Sequence, residues 1–157
     1  MRGSGVLVRS AVAGDAAEMA ALVRAAFAGN GVVPPPSALG ETAESVAQAL
    51  DKAGGAVAEA GGKIVGAILW EVRERSLYLN RLAVAEAWRR QGIARALIGA
   101  GEEAARKRGI GRLELGTRLV LAGNRRLFAA CGFLETTRHR HTGFAEDTWV
   151  AMERVLD

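Results

Sequence analysis

The stretch that most limits what this chain can fold into runs from Arg81 to Gly109, RLAVAEAWRRQGIARALIGAGEEAARKRG. It reads as the end of a strand and then a helix from about Gly92 to Arg108. That helix puts Ile93, Leu97, Ile98, Ala104 and Ala105 on one face and Glu102, Glu103, Arg106 and Lys107 on the other. The join is Arg89-Arg90-Gln91-Gly92-Ile93-Ala94. A helix start ordinarily carries Ser, Thr, Asp or Asn, whose side chain accepts hydrogen bonds from the first free N–H groups. This one has arginines, a glycine and no cap. The positive end of the helix dipole and its unpaired donors make an anion site, so a bound phosphate is expected where the cap is missing. Gly92 allows close backbone approach and unusual dihedrals, Ala94 keeps the next approach small, and Arg89 and Arg90 add charge at the rim. No Gly-Lys-Ser/Thr comes after it, so this is not a Walker phosphate loop, and the G-x-G-x-x-G of a dinucleotide fingerprint is missing too.

The other elements are read from pattern. Val6 to Arg9 is a short strand. Asp15 with Glu18 reads as a capping box opening a helix through Met19, Leu22, Val23, Ala26 and Phe27. Gly29 to Gly40, containing Pro34-Pro35-Pro36, is an irregular loop. Thr42 caps a second helix through Val46 and Leu50, ended by Gly54-Gly55. Ala56–Ala60 and Lys63–Val72 flank Gly61-Gly62 as a hairpin, and Leu77–Val84 is the next strand. Arg112–Thr117 is a strand, Asn124–Cys131 a short helix, and Glu135–His141 and Thr148–Val155 the closing strands. The order βααβββαβαββ predicts one α/β domain over 1–157, with a mixed, mostly antiparallel sheet flanked by helices.

The chain has 157 residues, half of them apolar, enough to bury a core. No apolar run reaches the ~18 residues of a membrane span, and the polar Met1-Arg2-Gly3-Ser4 opening shows no signal peptide. With Cys131 as the only cysteine, no internal disulfide forms and a cytoplasmic setting is expected. A net charge of +4 fits either a polyanionic partner or an Arg-rich solvated surface, the second being simpler at so modest a charge. A basic nucleic-acid-binding domain needs an aromatic-basic surface that a chain 5% aromatic scarcely offers.

Strand Leu77–Val84, Arg89-x-x-Gly92-x-Ala94 and the adjoining helix resemble motif A of the GNAT superfamily, the acyl-CoA-dependent N-acetyltransferases, with its Q/R-x-x-G-x-G/A signature. Leu127-Phe128-Ala129-Ala130-Cys131-Gly132-Phe133 is similar to the family's L-Y-x-x-x-G-F helix, and Val8 to Asp15 to its first strand and helix start. The resemblance implies acetyl-CoA as co-substrate and splayed central strands. The CoA pyrophosphate would rest on backbone N–H groups across Arg89, Arg90, Gln91, Gly92, Ile93, Ala94 and Arg95. Its pantetheine would run along Leu82, Ala83 and Val84, filling the gap to strand Arg112–Thr117. The Val84 N–H would polarise the thioester carbonyl. The acceptor would be a small-molecule or peptide amine, with no metal, nucleic acid or membrane involved. Homodimers are common in the family, and nothing in this sequence demands one.

Departures from the family pattern bear on mechanism. The Tyr that protonates the departing thiolate in many members is here Phe128, which carries no proton. The family's Asn, seven residues earlier, falls on Leu121; Asn124, one turn later, is either a cofactor contact or an ordinary helix cap. Strand alternation puts Tyr78, Asn80, Leu82 and Val84 on one face, with Asn80 and Tyr78 where the family often faces the acceptor amine. Asn80 orients substrate or water, while Tyr78 is either a proton donor or a packed aromatic. Glu71 and Glu114 are strand carboxylates able to relay a proton or simply to face solvent, and Glu41 borders the Pro-rich loop. His139 and His141 alternate on a late strand and titrate near neutrality if unperturbed, without metal-ligand spacing. Cys131 has no adjacent base and reads as packing. Together these residues indicate acetyl transfer to a primary amine in a ternary complex. The alternative is a CoA-binding regulatory module that has lost its chemistry.

Overall fold

The computed structural model describes residues 5–157; the polar opening at 1–4 lies outside them. A seven-stranded sheet in the order β1-β2-β3-β4-β5-β7-β6 forms its centre. The strands are β1 (Val6–Ser10), β2 (Gly55–Ala60), β3 (Lys63–Val72), β4 (Leu77–Val84), β5 (Arg112–Arg118), β6 (Leu134–His139) and β7 (Trp149–Val155). Only β4 and β5 pair in parallel, and only at Leu77↔Leu113 and Tyr78↔Glu114 before they part. The splayed strands expected from the resemblance are therefore present. Helices α3 (Ile93–Lys107) and α4 (Ala122–Ala130) cover one face, packing Ile93, Leu97, Ile98 and Phe128 on Ile68, Leu79, Leu115 and Met152. Helices α1 (Ala16–Ala28) and α2 (Ala43–Lys52) cover the other, with Met19, Ala20 and Val46 on Val57, Ala67 and Leu69.

At the second helix the cap is as expected: the Ser45 N–H donates to Thr42 Oγ1 at 3.0 Å and the Thr42 N–H to Ser45 Oγ at 2.8 Å. The first cap is corrected. Ala13–Asp15 form a 3-10 turn, and Asp15 reaches back to accept from the Val12 N–H at 2.8 Å instead of capping α1. Glu18 is taken by the third strand, accepting from the Ile64 N–H at 2.8 Å. A charged partner decides this, because Arg9 grips both oxygens of Asp15 at 2.9 and 3.0 Å. Helix α4 also begins before Asn124, after Leu121, so Asn124 sits inside its first turn and is not its cap.

The larger correction concerns β4. Ala67 pairs with Ala83 but Leu69 pairs with Asn80, so Arg81 and Leu82 together oppose Ile68 in a bulge. Arg81 takes φ 54, rare for a side chain other than Gly. One extra residue reverses the alternation. Tyr78 and Asn80 face the α1–α2 side with Leu69, whereas Leu82 and Val84 pack on the α3 side. The four residues do not share a face.

Candidate active site

The split between β4 and β5 opens into a cleft of ≈ 750 Å³. At one end lies the start of α3. Gly92 holds φ 80 and ψ 7, and no side chain caps the helix. The first helical bond runs from the Ala96 N–H to the Gly92 carbonyl at 3.0 Å, leaving the N–H groups of Ile93, Ala94 and Arg95 ahead of the ladder. A Cβ built on Gly92 meets nothing within 4 Å. Glycine is thus required there by its backbone dihedrals, and the space before the N–H groups is open. Arg90 precedes it at φ 64, and Arg89 Nε donates to the Val84 carbonyl at 3.2 Å, tying the turn back to the strand.

The Ala85 N–H donates to the Val65 carbonyl on β3 at 2.8 Å. Donors alternate sides along a strand, so the Val84 N–H points the other way, into the split. An extended chain in that gap meets a free β-edge on β4, the uncapped helix start and Phe128 of α4, whose ring packs edge-on against the buried Phe133. These features fit a long thioester carrier with a pyrophosphate at one end. Leu82, Ala83, Val84, Arg89, Arg90, Gly92, Ile93, Ala94, Arg95, Asn124, Phe128, Tyr78 and Asn80 all line the cleft; Gln91 of the phosphate turn does not, and neither do Glu41, Glu71, Glu114, Cys131 and His139.

On the α1–α2 side, Tyr78 leans over Gly116 of β5. A Cβ at Gly116 would lie 3.1 Å from the Tyr78 hydroxyl and 3.1 Å from the Trp149 ring, so any larger residue would crowd both side chains. Burial pushes the Tyr78 hydroxyl above its ordinary pKa; Arg73, 3.6 Å over the ring, and Arg81 counter this in part, while Glu71 and Glu114 add to it. Asn80 Nδ2 donates to Glu71 Oε2 at 3.2 Å, while its Oδ1 is buried and has no hydrogen-bond partner among the described residues. Glu41 is withdrawn from proton chemistry. Burial raises its pKa, but the Ser45 hydroxyl and Arg81, with Nε at 2.7 Å, outweigh that and hold it below the ordinary carboxylate value. Glu114 accepts from the Ser76 hydroxyl at 2.6 Å.

Arg81, Gly116, Arg118, His141 and Trp149 also line the cleft, and sequence reasoning assigned none of them there. Nothing local marks Gly116, near the end of the expected strand Arg112–Thr117, or Arg118, one residue past it; only the pairing of β5 with β7 and the splay of β4 bring them to the cavity. His141 lies beyond β6, not on a strand, because that strand ends at His139, which stacks on Trp149 with ring centroids 4.3 Å apart. Burial and the charge of Arg118 push the His141 imidazole below its ordinary pKa. Cys131 is packed in the core beside Phe133. Among the described residues no group of His, Cys, Asp and Glu side chains could hold a metal ion, and no helix is long and apolar enough to cross a membrane.

The sequence model of the acetyltransferase (GNAT) family matches residues 19–133 of the chain. No curated protein matches it by sequence. Among solved structures it is similar to an IAA acetyltransferase from Bacillus cereus, at 20% identity and TM-score 0.71 over 96% of this chain and 99% of that one. It is similar also to yncA from Salmonella typhimurium with its cofactor acetyl-CoA, at 19% identity and TM-score 0.76 over 98% and 95%. A third is the ribosomal-protein-S18-alanine N-acetyltransferase from Escherichia coli, at 21% identity and TM-score 0.73 over 97% and 94%. At such identities the neighbours establish the fold.

Proposed function

This chain belongs to the acetyltransferase (GNAT) family, and from that membership we propose that it moves an acetyl group from acetyl-CoA to a primary amine by direct attack in a ternary complex. The observation that carries the reading is the uncapped, Gly92-led start of α3, opening into the split where the Val84 N–H is free. The N–H groups of Ile93, Ala94 and Arg95 hold the pyrophosphate, with Arg89 and Arg90 beside it. Leu82 and Val84 pair through their backbone with the pantetheine, and Asn124 and Phe128 close its other side. Bound acetyl-CoA supplies an activated acyl group on a thiol leaving group.

The chain's own residues do the rest. The Val84 N–H donates to the thioester carbonyl oxygen as negative charge develops there. Asn80 Oδ1 accepts from the amine N–H and aims its lone pair at the carbonyl carbon. As the N–C bond forms and the C–S bond breaks, Tyr78, a phenol on the cleft wall that is protonated at neutral pH, gives its proton to the departing sulfur. The amine proton passes by solvent to Glu71, the carboxylate held against Asn80. Cys131 takes no part, and we place the reaction in the cytoplasm, where this lone thiol stays reduced.

Thiol release from acetyl-CoA across a broad amine panel tests the proposal. Amine-dependent release with intersecting double-reciprocal lines is expected. Tight CoA binding with no release for any amine favours the impaired regulatory module; parallel lines overturn the ternary complex.

A further inference from the structure

We propose that the acceptor amine carries a carboxylate, received by Arg118 on the α1–α2 side of the cleft; this rests on the acetyl-transfer reading above. Among the described residues the cleft is lined by five arginines and no Asp or Glu. Arg89, Arg90 and Arg95 surround the start of α3, where a pyrophosphate belongs. Arg81 is neutralised by Glu41 at 2.7 Å. Arg118 is left. Among the described residues no carboxylate comes within ion-pairing distance of it.

Among the described residues its side chain makes one hydrogen bond, to the Pro34 carbonyl at 2.7 Å, which engages a single donor of the five that a guanidinium presents. Burial lowers its pKa with no carboxylate to offset the cost, and its charge in turn depresses that of His141. An anion beside Arg118 relieves both. A second, independent feature describes the other end of the ligand. Glu71 holds Asn80 by its Nδ2 at 3.2 Å, which fixes the amide so that the buried, unpartnered Oδ1 can only accept. An amine is the donor it lacks. A donor at one end and an anion at the other describe an amino acid or a related amino-carboxylate. A single guanidinium beside a histidine pushed towards neutrality suits a monoanion, and its planar fork matches a carboxylate. Trp149 and Phe27 supply apolar wall for a short carbon skeleton.

The test is thiol release from acetyl-CoA with a panel of α- and ω-amino acids, each beside its own carboxamide, and with putrescine. In the wild-type protein the best acid should exceed its carboxamide by ~10–100-fold in kcat/KM, the range expected for a charge-assisted bond. Arg118→Gln should erase that preference while the KM for acetyl-CoA stays unchanged, and Arg118→Lys should keep part of it. If the loss of the Pro34 contact unfolds Arg118→Gln, the wild-type ratio and Arg118→Lys decide alone. A carboxamide or putrescine that matches or beats the acids overturns the carboxylate and leaves acetyl transfer standing; so does an acid preference that survives in Arg118→Gln. Silence with every amine overturns acetyl transfer itself and this inference with it.

Discussion

In the proposed mechanism the departing CoA thiolate takes its proton from Tyr78, the phenol that lines the cleft. A CoA thiol resembles a cysteine thiol, with a pKa of about 8.5, so the leaving group is tolerable even unassisted. A positioned acid still contributes ~10²–10⁴-fold. Tyr78→Phe should therefore lower kcat by ~100-fold or more with CoA affinity intact by calorimetry; unchanged turnover would transfer the role to water. Phe128→Tyr should keep or raise turnover, because it sets a second hydroxyl on the cleft wall. Glu41 gives a stability prediction at the same scale. Its folded pKa lies below the ordinary value of about 4.3. Its contribution is therefore complete above that pH and fades as pH falls through the lower folded value. Glu41→Gln should cost about 1–2 kcal/mol in urea unfolding at pH 7, and the gap to wild type should shrink towards pH 3. A gap that stays constant with pH would assign the loss to packing.

Among the elements, the turn into α3 and the bulge in β4 determine the site together. The bulge opposite Ile68 sends Tyr78 and Asn80 to one face and Leu82 and Val84 to the other, and Arg81, paired with Glu41, sits in it at φ 54. The turn then delivers free N–H groups at the mouth of the gap. Gly92→Val tests the turn. A β-branched residue at φ 80 is strained by ~1–3 kcal/mol, and its side chain occupies the space an anion would take. CoA affinity should drop at least ~100-fold while circular dichroism retains the helical signal. A variant that binds CoA as tightly as the parent would put the phosphate elsewhere.

For the whole molecule, ligand binding reports on how the two halves of the sheet are joined. Between β4 and β5 only two residue pairs hold the halves together directly. A molecule that lies in the gap and pairs with β4 should stiffen this weak seam. Acetyl-CoA at about 100 times its dissociation constant should add ~2.7 kcal/mol. For a chain of this size that is a melting increase of roughly 5–10 °C by calorimetry. No shift with millimolar CoA in a folded sample would remove the cofactor from the picture.

The elements themselves, and the helix start lacking a cap, were determined by sequence alone. The bounds of β3 and β4 fall where alternation and the turn residues put them, and the missing side-chain cap was legible at Gly92, because each depends on neighbours in sequence. Contacts made across the sheet did not show. Asp15 and Glu18 look like a cap until Arg9 and the Ile64 N–H compete for them. Tyr78 and Val84 share a face by strict alternation, and one extra residue opposite Ile68 separates them. Arg118 and Gly116 gain their meaning only where β5 meets β7 and parts from β4. Periodicity registers local geometry; a bulge, a splay and a competing ion pair are chosen by the free energy of groups far apart in the chain. Only the tertiary structure decided those.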